Sequence, residues 1–192
     1  VYTRSINDPE YAIKLYNRGE KHSYYFLDAE DATTPIIVPG YQRSYSGLLG
    51  KSHSNIFSYN YNIEKGQNIG FLATNRDYEE GGTSTLYSLK GNFLFNEIYR
   101  TRFELVSTDM DEPISNVINT SNVSKEHTYN LDGESFSGYG GVFGLSRETE
   151  NWETRYYFAT KSPNYRSDLG FTTENDWKKH SINQKYKYRS NG

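Results

Sequence analysis

The chain has 192 residues, a net charge of −3, no cysteine, 34% apolar residues and a mean hydropathy of −0.87. The charge excludes the basic footprint of a nucleic-acid binder, and the lack of cysteine excludes a disulfide scaffold, a thiolate metal site and a cysteine nucleophile. A thick aliphatic core is excluded by the low apolar content, and a disordered chain by 19 Tyr and 10 Phe.

In chain order, the first predicted elements are strands over 11–16 and 22–29, turning at Asn17-Arg18-Gly19-Glu20. Residues 31–40 read as a long loop, and 43–51 as a candidate strand. Phe57, Tyr59, Tyr61 and Ile63 then alternate with Ser58, Asn60 and Asn62, the period-2 signature of a strand with two unlike faces. Glu64-Lys65-Gly66-Gln67 turns the chain into Ile69, Phe71 and Ala73. Residues 77–83 read as a polar loop.

The plan repeats. Tyr87, Leu89, Gly91, Phe93 and Phe95 share one face, Asn96-Glu97 makes a tight turn, and Tyr99, Thr101, Phe103 and Leu105 oppose Arg100, Arg102 and Glu104. Residues 109–133 form the longest irregular stretch. Tyr139, Gly141, Phe143 and Leu145 begin a third hairpin, turning at 148–151 into Trp152, Thr154, Tyr156, Phe158 and Thr160. A loop over 162–171 and a strand over 177–188 complete the series.

The predicted fold class is all-β: an antiparallel up-and-down meander of about nine or ten strands, forming part of a transmembrane β-barrel. Short turns (17–20, 64–67, 96–97, 148–151) alternate with long ones (31–40, 77–83, 109–133, 162–171), the asymmetry of outer-membrane barrels. Strands of ~9–11 residues suit a tilted bilayer crossing. No apolar run reaches the ~18 residues of a transmembrane helix. The chain opens on Val1-Tyr2-Thr3 without a signal peptide and closes without a terminal aromatic, so it reads as one internal segment of a longer protein.

Two stretches carry a family resemblance: Ile69-Gly70-Phe71-Leu72-Ala73-Thr74-Asn75-Arg76, and Ser162-Pro163-Asn164-Tyr165-Arg166-Ser167-Asp168-Leu169-Gly170-Phe171. The second resembles a segment of a family of uncharacterised bacterial surface proteins, with Asp168, Leu169, Gly170 and Phe171 as its core. Those proteins join a domain similar to family 9 carbohydrate-binding modules to a C-terminal region thought to be an outer-membrane barrel. The resemblance runs from about Tyr11 onward. It implies an outer-membrane location, lipid as the partner of the barrel wall, and polysaccharide as a partner only through a domain outside this chain. The family has no established catalytic residues, so none is carried over and no enzyme is expected.

The remaining candidates are weighed on their residues. Asp109, Asp111 and Glu112 are an oxygen-rich loop set of the kind that binds Ca²⁺, but without EF-hand spacing; the expectation is a solvated loop, with no metal and no cofactor. Asp77, Glu79 and Glu80 have no second group placed for glycosidic chemistry. His22, His53, His127 and His180 lack ligand spacing. Gly138-Tyr139-Gly140-Gly141 lies in a strand pattern, where glycine permits close packing. Asn119-Thr120-Ser121 and Asn122-Val123-Ser124 match the glycosylation pattern by chance. Trp152 and Trp177 are the candidate glycan-stacking residues of the alternative reading, a soluble or surface carbohydrate-binding β-domain.

Overall fold

The computed structural model describes residues 5–64, 66–125 and 127–188. Its strands are β1 (Pro9–Arg18), β2 (His22–Asp31), β3 (Thr34–Gly40), β4 (Arg43–Leu49), β5 (Ser52–Asn62), β6 (Asn68–Tyr78), β7 (Thr83–Phe95), β8 (Tyr99–Asp111), β9 (Ile114–Ser115), β10 (Leu131–Asp132), β11 (Ser135–Glu148), β12 (Trp152–Lys161) and β13 (Trp177–Tyr186). Nine of them form one antiparallel sheet in the order β1-β2-β5-β6-β7-β8-β11-β12-β13. Each neighbour in that order is the next long strand along the chain, so the sheet is a meander. The β3–β4 hairpin and the β9–β10 pair are separate two-stranded inserts. Among the described residues there is no α-helix.

Three loop expectations are corrected. Residues 31–40 are not a loop: Thr34–Gly40 is a strand, paired along its length with Arg43–Leu49. Pro35 and Pro39 obscure it in the sequence, and both are tolerated because a two-stranded ribbon has an edge on each side. Ile36 and Val38 are almost fully buried against Leu49, Tyr78, Ile118, Tyr129 and Leu131. The polar loop at 77–83 shrinks, since β6 runs through Tyr78 and β7 starts at Thr83. The 109–133 stretch begins after Asp111 and carries the short β9–β10 pair.

Strand register sorts the side chains into transverse rows. On one face, Asp28, Asn55, Asn75, Thr85, Asp109 and Ser137 are successive cross-strand partners, and Glu30, His53, Asp77, Thr83, Asp111 and Ser135 form the row beyond. Every member of both rows is polar. Further down the same face the rows become Phe26, Phe57, Ala73, Tyr87, Ser107 and Tyr139, then Tyr24, Tyr59, Phe71, Leu89, Leu105 and Gly141. Next come Tyr61, Ile69, Gly91, Phe103, Phe143 and Phe158. Phe57, Phe71, Tyr87, Leu89, Leu105, Tyr139, Phe143 and Leu145 are all exposed. This open face therefore carries an aromatic and aliphatic band that gives way abruptly to a polar one at the end bearing the longer connections.

The opposite face is covered at that same end. Its rows there are Leu27, Ile56, Thr74, Leu86, Thr108 and Gly138, and Ala29, Ser54, Arg76, Ser84, Met110 and Phe136. All are buried except the half-buried Phe136. Toward the short turns the covered face becomes polar and open, with Asn60, Lys90, Glu104, Asn92 and Arg102 around a hollow of about 400 Å³. The short turn after β7 places Asn96 and Glu97 both at positive φ, 48° and 60°.

Candidate functional site

What covers the upper half of that face is the segment between β12 and β13, 162–176, together with the β3–β4 hairpin and the 112–134 loop. The segment has no regular structure, yet residues 165–169 are all buried. It can lie this close because the sheet beneath it has glycine at the crossing. A Cβ on Gly138 would fall against the backbone carbonyl of Asn164 and 2.7 Å from the Tyr165 Cα, and one on Gly140 would stand 2.8 Å from the Tyr165 ring. No rotamer change relieves a clash with backbone, so Gly138 is required by the crossing. Asn175 closes the far end of the segment, donating from Nδ2 to the carbonyls of Pro39 at 3.2 Å and Tyr165 at 3.3 Å.

Two buried guanidiniums organise the contact. Arg76 of β6 is fully buried; its Nε donates to Ser54 Oγ at 2.9 Å and its Nη2 to the Ser5 carbonyl at 3.0 Å and to Asp31 Oδ2 at 3.5 Å. Asp31 Oδ1 in turn accepts from the amides of Asn7 and Asp8, both at 3.0 Å. Arg166 donates from Nε to Asp168 Oδ1 at 2.9 Å and from Nη1 to Glu112 Oε1 at 2.7 Å. Tyr78 donates its hydroxyl proton to Asp168 Oδ2. Buried charges persist only when paired and hydrogen-bonded in this way. Burial works against the Arg166 charge, but Asp168, Tyr78 and Glu112 outweigh it and hold the guanidinium above its ordinary value.

Glu112 has the opposite balance. Burial pushes its carboxyl up to about 7, against the pull of Arg166 and with the nearby carboxylates Asp132, Glu134 and Asp168 adding to the rise. Glu112, Asp132 and Glu134 each offer a carboxylate oxygen, and these oxygens lie within 4.8 Å of one another. The Ca²⁺-type trio read from the sequence is not brought together. Asp109 lies on the open face, where Ser137 Oγ donates to its Oδ1 at 2.6 Å. Asp111 pairs in the next row of that face, and Glu112 turns inward. Glu112's partners come instead from the other end of the long loop, a pairing across about 20 residues that spacing does not signal.

The four-residue motif is placed at the centre of this contact. Asp168 joins Arg166 and Tyr78, and Leu169 packs with Leu27 and Ile56 beside Leu72. The Gly170 amide donates to the Ser167 carbonyl at 3.2 Å, and Phe171 is exposed. The two tryptophans are not brought together. Trp152 stands on the open face at the short-turn end, its indole N–H donating to Thr154 Oγ1 at 2.9 Å and its ring 5.6 Å from Tyr186. Trp177 pairs with Lys161, whose side chain points to the covered face, and the Lys161 ammonium sits 5.8 Å from the Trp177 ring. Sequence reading missed Arg76, Asp31 and Tyr78 as members of the network. Arg76 had one signal, an arginine at the end of an otherwise apolar and small stretch.

No family model, no curated protein and no solved structure matches this chain.

Proposed function

We propose that the nine-stranded sheet is a section of the wall of a bacterial outer-membrane β-barrel, serving as a surface scaffold or pore and linked to glycan binding or uptake. The observation that carries this reading is the division of the open face into an aromatic and aliphatic band and two wholly polar rows. Lipid-facing walls have that form: an apolar band some 25 Å tall flanked by aromatic side chains, with polar side chains inside. Trp152 and Tyr186, at the short-turn margin of the band, suit the headgroup level.

Strand length supports the same reading. β7, β8 and β11 have 13, 13 and 14 residues, against the ~9–11 needed to cross a tilted bilayer. The surplus carries the polar rows, so it would project beyond the membrane on the side of the long connections. The outer edges of β1 and β13 pair with no strand among the described residues. In lipid each unpaired backbone group costs several kcal/mol, so this reading has both edges continuing into further strands.

The rival reading, a carbohydrate-binding β-domain using Trp152 and Trp177, has its two stacking residues on opposite faces and at opposite ends of the β12–β13 pair. The test is gel migration of the protein purified from outer membranes in detergent, with and without boiling. A boiling-dependent shift supports a closed barrel. Release by a salt wash with no shift overturns it and turns attention to glycan retention.

A further inference from the structure

We propose that Glu112, Asp132 and Glu134 form a Ca²⁺ site that clasps the two ends of the 112–134 loop. The inference goes beyond the barrel reading and does not depend on it, because the site lies wholly within the loop assembly.

Three carboxylates from two chain segments offer oxygens within 4.8 Å of one another. Ca²⁺ binds oxygens at ~2.3–2.6 Å in irregular geometry, so a single ion can draw its ligands from such a set with small side-chain adjustments. The ligands are all hard oxygens, which suits Ca²⁺ and not the imidazole- and thiolate-seeking metals.

Proximity of acidic groups alone is no site; the second observation is Glu112 itself. The residue is 4% exposed. Its Oε1 takes the Arg166 ion pair, while its buried Oε2 has no hydrogen-bond partner among the described residues. A buried carboxylate oxygen without a donor is costly, and a cation shared with Asp132 and Glu134 satisfies it. Charge points the same way. Arg166 already answers Asp168 as well as Glu112, and Asp132 and Glu134 bring two further carboxylates beside that pair.

The other two ligands are held in place from outside. Glu134 Oε2 accepts from the Thr128 amide at 2.8 Å, and Asp132 Oδ2 accepts from Thr128 Oγ1 at 2.8 Å. The Glu112 amide donates to the Glu134 carbonyl at 3.0 Å, so the two strand ends approach each other whatever the side chains do. Asp132 is exposed, which leaves a solvent side where water completes the ion's shell. Bound there, Ca²⁺ would tie β10 to the end of β8 and, through Arg166, to the 162–176 segment.

The test is Ca²⁺ titration of the chelator-treated protein, read by calorimetry and by displacement of Tb³⁺ luminescence. One saturable ion per chain is expected, with affinity in or tighter than the ~10⁻⁴–10⁻³ M of extracellular modules. Asp132→Asn with Glu134→Gln should weaken it at least tenfold. Asp77→Asn with Asp109→Asn removes the same amount of charge from the open face and should leave binding unchanged. Asp132→Asn alone alters an exposed residue, and a loss of affinity with an unchanged circular dichroism spectrum separates ligation from folding. Absence of saturable binding up to about 10 mM Ca²⁺, well above that affinity range, overturns the proposal. So does equal binding by wild type and the Asp132/Glu134 variant.

Discussion

The Arg166 guanidinium and the Glu112 carboxylate, 54 residues apart in the chain, meet at 2.7 Å with side chains 2% and 0% exposed. Arg166 also spans Asp168, so one side chain joins the covering segment to the end of β8. Removing one partner of a buried pair leaves the other charged and unsolvated, at a cost of about 3–5 kcal/mol. Arg166→Met should therefore destabilise strongly and expose the 162–176 segment to protease, and Arg166→Lys should rescue little because one ammonium does not reproduce the fork. Wild-type proteolysis rates in Arg166→Met would refute this account of the contact.

Gly138 offers a sharper test of the covering segment. Alanine there meets the Asn164 backbone, and an overpacked crossing of this kind costs about 1–3 kcal/mol. Gly144 on the same strand face is the control, since a Cβ there has no neighbour nearer than 3.9 Å. Gly138→Ala should speed hydrogen exchange in 162–169, and Gly144→Ala should not. Equal effects would mean that the crossing is not tight.

Arginine scanning separates the two bands of the open face. Phe71→Arg or Leu89→Arg puts a charge in the apolar band, at a cost of about 2–4 kcal/mol if that band lies at the bilayer midplane. Thr85→Arg puts it in a polar row. The proposed wall predicts failed membrane assembly for the first two and normal assembly for the third, measured by heat-modifiable migration. A soluble sheet would tolerate all three about equally.

Glu112 gives a pH dependence with a definite sign. Its carboxyl, raised from 4.5 to about 7 in the fold, holds a proton more tightly folded than unfolded. That contribution is fully present below about 4.5 and is lost as the pH rises through about 7. In chelator-treated protein, hydrogen-exchange protection of the β9–β10 amides should fall across that window and level off above it. Glu112→Gln, which mimics the protonated form without titrating, should flatten the fall. A slope that persists in Glu112→Gln would assign it to another group.

Much of the sheet was legible because a strand's side chains alternate with period 2. Phe57, Phe71, Tyr87, Phe103, Phe143 and Phe158 were each assigned to an apolar face from local sequence, and register places all six on the same face of one sheet. The β3 strand escaped because Ile36-Ile37-Val38 is a short run between two prolines, and its partner is an insert, not the meander. The motif at Asp168 was visible as a word without a role. Its role depends on Tyr78, 90 residues earlier, and no periodicity links residues so far apart.

The sequence by itself therefore determined the nine long strands, their order as a meander and the two unlike faces, since alternation and turn chemistry act over a few residues. Only the tertiary structure decided that 162–176 lies on the sheet over Gly138 and Gly140. It alone decided that Arg76 is sealed beneath that segment while Arg166 turns inward from within it, and that Glu112 leaves Asp109 and Asp111 to join Asp132 and Glu134. Those outcomes depend on which polar groups are buried together, and burial forces charges to find partners wherever in the chain they lie.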